Sequence, residues 1–145
     1  MTVQVDRASR VVNKLVKGMS RMGISAFGAK ELVVIGRKSG QPRSTPVNPL
    51  HVDGQLYLVA PRGQTQWVRN VRQNPRVTLR TGRSESSYTV EEVDVATAVP
   101  VMRHYMKRWA WEVGRFFPEG VTAKSTDDEL AAIIPDHPVF RLEEA

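Results

Sequence analysis

The stretch 31-ELVVIGRKSGQPRSTPVNPLHVDGQLYLVAP-61 decides how the chain folds. It holds three short runs rich in β-branched and aromatic residues, ELVVIGR, RSTPVNPLHV and QLYLVAP, separated by Gly40-Gln41-Pro42 and Asp53-Gly54. Short apolar runs punctuated by such turn formers read as strands joined by tight hairpins, so the segment is expected to be an antiparallel meander. Pro46 and Pro49 cannot donate to a strand ladder, which places the middle run at a sheet edge or a bulge, where backbone groups stay free for a ligand.

Working outward, residues 65–74, TQWVRNVRQN, carry an N-cap candidate in Thr65, apolar Trp67, Val68 and Val71, and a stop at Pro75, the pattern of a short helix. RVTLRT and SSYTVEEVDV read as two more strands, 97–117 as a longer helix, Asp127, Asp128 and Glu129 as the start of a helical turn, and VFRLEE as a closing strand. The order β-β-β-α-β-β-α-β with hairpin connections predicts a small antiparallel barrel of the α+β class, one domain over 1–145 with the barrel in 30–145. Ahead of it, within 1–24, Val11, Val12, Leu15, Val16, Met19 and Met22 recur at helical spacing opposite Arg7, Arg10, Lys14, Lys17 and Arg21. This basic amphipathic helix has three readings: docking on the domain, lying on an anionic membrane surface through residues 7–22, or flapping over a site.

Charge points to where a ligand would sit. Residues 1–84 hold 15 Lys and Arg against three acids, net +12, whereas residues 85–145 hold six against twelve, net −6. Arg37, Lys38 and Arg43 crowd the Gly36–Pro42 turn, and Pro61-Arg62-Gly63 makes a second basic turn after the third run. Glycine-rich turns with free amides, an Arg fork and a Lys point charge are how proteins hold phosphate, and the helix starting near Thr65 would aim its positive end at the same place.

Other chemistries are missing from the sequence. There is no cysteine, so disulfides, thiolate metal sites and cysteine nucleophiles are excluded; His51, His104 and His137 are too scattered for a metal site. No G-x-S-x-G motif or paired carboxylates are found. The basic helix contains no aromatics interleaved with its cations, which argues against nucleic acid. No apolar run reaches the roughly 20 residues of a spanning helix and the N-terminus lacks a signal-peptide core, so a cytoplasmic protein, peripheral to the inner membrane face if its helix binds lipid, is expected.

LVVIGRKSGQPRSTPV, followed by DGQLYLVAPRG, Trp67-Val68-Arg69-Asn70 and Asn74-Pro75-Arg76-Val77, resembles the deazaflavin-dependent nitroreductase family, actinobacterial reductases that use coenzyme F420. The resemblance covers residues 30–80. It implies a split β-barrel related to those that bind FMN and a cofactor whose phosphate and oligoglutamate tail are polyanionic. Carried over residue by residue, it implies phosphate binding at Arg37, Lys38, Ser39 and Arg43, and ring contacts at Ser44, Thr45, Pro46, Val47 and Asn48. It implies a second cofactor segment at Val59, Ala60, Pro61 and Arg62, and a third at Gln66, Trp67, Val68, Arg69 and Asn70. Trp67 could equally be a core anchor, and Asn70 could fasten the helix to a neighbouring backbone. The loop PRGQTQW is shorter than in many members, Val68 stands where an aromatic is common, and from Ser84 onward no motif matches.

The implied reaction is hydride transfer from the reduced deazaflavin to an electrophilic small molecule such as a quinone, an activated enone or a nitro compound. Tyr105 is the nominated proton donor, because Arg103, Lys107 and Arg108 nearby would favour an ionisable phenol. An FMN-binding oxidoreductase of the same fold, or a non-enzymatic binder of anionic membrane, are the rival readings; a homodimer is left open.

Overall fold

The computed structural model describes residues 30–145, so the basic amphipathic helix and its membrane reading lie outside the described residues. Strands β1 (Lys30–Ile35), β2 (Pro42–Val47), β3 (Leu50–Val52) and β4 (Gln55–Val59) are followed by helix α1 (Gln66–Gln73). Strands β5 (Arg76–Thr81) and β6 (Ser84–Glu92), helices α2 (Val95–Val113) and α3 (Asp127–Ile133), and strand β7 (Val139–Glu144) complete the chain.

The meander is only half present. β1 pairs with β2 and β3 with β4, both antiparallel, but the run RSTPVNPLHV breaks at Asn48-Pro49 into two strands that do not pair with each other. They are instead the two edges of one seven-stranded sheet, ordered β2-β1-β5-β6-β7-β4-β3. Laid flat, the edges of seven strands would stand about 29 Å apart, at about 4.8 Å per gap. Three residue steps from Val47 to Leu50 reach about 11 Å at most. The sheet must therefore curl until its edges nearly meet, which is a split barrel, and the edge position expected for Pro46 is where β2 lies.

Period-2 alternation on β4 divides the core. Leu58 and Ala60 join Leu32, Val34, Val77, Leu79, Phe140 and Leu142 on one face, where α1 inserts Val68 and Val71. Tyr57 and Val59 face the other way, against Val101, Met102, Tyr105 and Trp109 of α2 and Leu130 of α3. Asp53-Gly54, with φ of 51° and 79°, forms the two-residue hairpin expected of an Asp-Gly pair. A second two-residue loop, Gly82-Arg83, starts β6 at Ser84 rather than Ser86. β6 ends at Glu92 because Asp94 caps α2, accepting from the Thr97 amide at 2.8 Å, and so the helix begins two residues earlier than expected. It ends at Val113 and continues as a 3-10 turn, Gly114–Phe116. Thr126 and Glu129 form a reciprocal capping box on α3, the acidic start read from the sequence.

Candidate active site

Where the sheet opens, a cavity of about 830 Å3 is enclosed by the β1–β2 turn, β2, the β4–α1 turn, the first half of α1 and the C-terminal end of α2. The β1–β2 turn is closed by hydrogen bonds from the Gly36 amide to Gln41 O (2.8 Å), the Gly40 amide to Gly36 O (2.9 Å) and the Gln41 amide to Ser39 Oγ (3.1 Å). A Cβ on Gly36 would stand 2.8 Å from Ser39 Oγ and 3.3 Å from the Gln41 carbonyl oxygen, so a larger residue there would displace the Ser39 hydroxyl that helps close the turn.

Arg37 has a second task. Its backbone amide donates to Asn70 Oδ1 (3.0 Å), and its Nη1 donates to Asn70 Oδ1 (2.8 Å) and Gln66 Oε1 (2.9 Å). The turn is thereby fixed to α1, and both Nη1 protons are used. Asn70 does what the sequence alternative allowed and fastens the helix to a neighbouring backbone, from a buried position. On the opposite wall the His137 ring is bonded to Pro61 O (2.9 Å), holding the β4–α1 turn in place. Trp67 is a core anchor, tilting against Phe140 at 5.5 Å, and it also lines the cavity.

Lys38, Arg43, Arg62 and Arg115 line the cavity without an ion-pair partner among the described residues, and Glu112 is the one acid in the lining. Arg62 and Arg115 both stack on Phe116, at 5.1 and 4.8 Å from its ring centre. Three polar atoms of the lining, Ser44 Oγ, Thr65 Oγ1 and Glu112 Oε2, are buried with no hydrogen-bond partner among the described residues. Thr65 is the N-cap residue of α1, as expected, but its hydroxyl caps nothing. An unsatisfied buried polar atom costs about 1–3 kcal/mol, so the two orphaned hydroxyls, which can donate, fit a polar, anionic bound group beside the unpaired cations.

Of the residues singled out from sequence, Arg37, Lys38, Ser39, Arg43, Ser44, Thr45, Pro46, Val47, Asn48, Val59, Pro61, Arg62, Gln66, Trp67, Asn70 and Tyr105 line this one cavity. Three do not. Ala60 is 1% exposed and turned into the core because β4 alternates faces between Val59 and Ala60; Val68 is fully buried beneath α1; Arg69 is exposed on the outer side of that helix. The rationale given for Tyr105 also fails. The residue is 1% exposed, and burial pushes its phenol well above the usual range; neighbouring Asn48 only partly offsets this, Glu112 adds to it, and no cation contributes. Sequence reading missed Glu112, Val113, Arg115 and Phe116. Glu112, Val113 and Phe116 follow Tyr105 at i+7, i+8 and i+11 and so share its helix face, which is the signal that could have found them.

Residues 9–134 match the F420H(2)-dependent quinone reductase family. Among solved structures, an F420-H2 dependent reductase, FDR-A, aligns with a TM-score of 0.55 at 19% identity, over 81% of this chain and 95% of its own. A protein of unknown function from Agrobacterium tumefaciens aligns at 0.57 and 16% identity over 81% of this chain, which spans 48% of the length of that protein. A protein solved as a domain-swapped dimer aligns at 0.51 and 18% identity, over 93% of this chain and 98% of its own. These likenesses carry the split-barrel fold, and the family match carries the chemistry: the chain belongs to the F420H(2)-dependent quinone reductase family and is an oxidoreductase whose cofactor is coenzyme F420.

Proposed function

We propose that the chain reduces quinones, and with them activated enones and nitro compounds, by taking a hydride from F420H2 held in the cavity between the β1–β2 turn and the end of α2. Lys38, Ser39 and Arg43 would bind the phosphate, with the turn kept in shape by Arg37 and Asn70. Ser44 to Asn48 and Val59 would border the ring, whose reduced form supplies the hydride. Pro61 and Arg62, with Gln66 and Trp67, would close the far side, and Arg62 and Arg115 would meet the acidic tail. The observation carrying this reading is the gathering of unpaired cations and three orphaned polar atoms on one largely apolar cavity.

Apolar walls from Val34, Val47, Val113 and Phe116 suit a flat, weakly polar acceptor, and exclusion of water there would protect the hydride. The test is a fluorescence titration of the protein with F420 and with FMN, followed by turnover of F420H2 with naphthoquinones, enones and nitroarenes. Saturable F420 binding and quinone turnover support the reading; tight FMN binding with none for the deazaflavin overturns it. The likeness to a domain-swapped dimer supports a homodimer, which sedimentation velocity would test.

A further inference from the structure

Reduction of a quinone needs a proton as well as a hydride, and with Lys38 assigned to the phosphate the described lining leaves two side chains suited to carry one, Tyr105 and Glu112. They stand seven residues apart on one face of α2, and Asn48, which lines the same cavity, lies near enough to both to lower each from the level that burial sets. Tyr105 is the poorer acid, because burial holds its proton far more tightly than neutral pH requires. Glu112 differs in two respects. Among the described residues its Oε2 is buried without a partner, and it is the one acid in a lining otherwise charged by Arg37, Lys38 and Arg43 from the β1–β2 turn and β2, Arg62 from the β4–α1 turn and Arg115 from its own helix end. Despite those cations, burial raises its carboxyl above the ordinary value and favours the protonated form.

We propose, resting on the reductase reading above, that Glu112 is the catalytic acid: its carboxyl O–H, placed at the cavity by α2 beside Asn48, protonates the acceptor oxygen left anionic by hydride transfer. A quinone that takes up the hydride gains two electrons and one hydrogen and becomes a hydroquinone monoanion. The Glu112 O–H bond then breaks as the second hydroquinone O–H bond forms, leaving a carboxylate that regains its proton from solvent. Asn48 is a positioning residue in this scheme, donating to the carboxyl and stabilising the carboxylate once formed, while Tyr105 remains a neutral phenol that orders Asn48.

The test uses the full-length protein, its E112Q and E112D variants, F420H2 and a soluble naphthoquinone. E112Q keeps the melting temperature and F420 affinity of wild type within about twofold but loses roughly a hundredfold or more in kcat, the range over which a positioned general acid contributes. E112D recovers part of that loss. The kcat of wild type falls at alkaline pH as Glu112 ionises, and E112Q lacks that limb. In the cofactor-free protein, a carboxyl resonance in 13C-Glu NMR titrates above the ordinary 4.5 and is absent from E112Q. Unchanged kcat and an unchanged alkaline limb in E112Q, or a Glu112 resonance titrating at or below 4.5, overturns the proposal. Wild type that fails to bind F420 overturns the reductase reading instead, so the two failures are distinguishable.

Discussion

Asn70 Oδ1 accepts two hydrogen bonds from Arg37, one from its backbone amide at 3.0 Å and one from its guanidinium at 2.8 Å, although the two residues are 33 positions apart. This contact joins the β1–β2 turn to α1. In Asn70→Ala the buried acceptor is lost and two donors are stranded, so unfolding free energy should fall by about 1–3 kcal/mol. Urea denaturation measures that loss, and F420 affinity should fall with it because the turn is no longer braced.

Lys38 and Arg43 have no such structural task, since neither makes an ion pair among the described residues. Lys38→Ala and Arg43→Ala should each weaken F420 binding by roughly 1.5–3 kcal/mol, the value of a charge-assisted hydrogen bond, with little change in melting temperature. Raising the salt concentration should shrink the difference from wild type. Arg37→Ala, by contrast, should lower both affinity and stability.

Glu31 pairs across the sheet with Arg80 on β5 and is 2% exposed. Burial pushes its carboxyl up from 4.5 to about 7, against the attraction of Arg80. The folded chain therefore holds a proton that the unfolded chain releases between pH 4.5 and 7, and stability falls as pH rises through that window. Glu31→Gln should remove this slope and be more stable than wild type above pH 7, by up to about 3 kcal/mol at 1.36 kcal/mol per pKa unit. Unfolding curves of the two proteins at pH 5 and pH 8 make the comparison.

Gly63 sits at φ 81°, and a Cβ there would approach the Asp136 carbonyl oxygen to 2.8 Å. Backbone lies on the other side of that contact, so no side chain can yield. Gly63→Ala should cost about 1–3 kcal/mol. By shifting the turn that carries Arg62, it should also weaken cofactor binding; thermal unfolding and a fluorescence titration read the two effects separately.

The local signals in this sequence were strong where chemistry acts between near neighbours. Asp53-Gly54 turns where the dipeptide says it must, Thr65 and Pro75 bracket α1, and the acids at 127–129 start a capped helix. Much of the candidate site was legible for the same reason, since one contiguous stretch, Arg37 to Asn48, supplies a complete wall of the cavity. Glu112 and Phe116 were not, because their place depends on which face of α2 meets the sheet.

Backbone preference and charge within a few residues were enough to give β1, β4, the Asp53-Gly54 hairpin and the crowded basic turn at 36–43. Only the tertiary structure decided that β2 and β3 become opposite edges of one sheet rather than neighbours in a meander. Pairing partners are chosen by burial across the whole core, where Leu58 and Phe140 gain more from meeting over β4 and β7 than any local pattern can express. That same closure brings the end of α2 to the mouth of the barrel and makes an acid of the negatively charged half the one carboxyl that the described residues place in a cationic cavity.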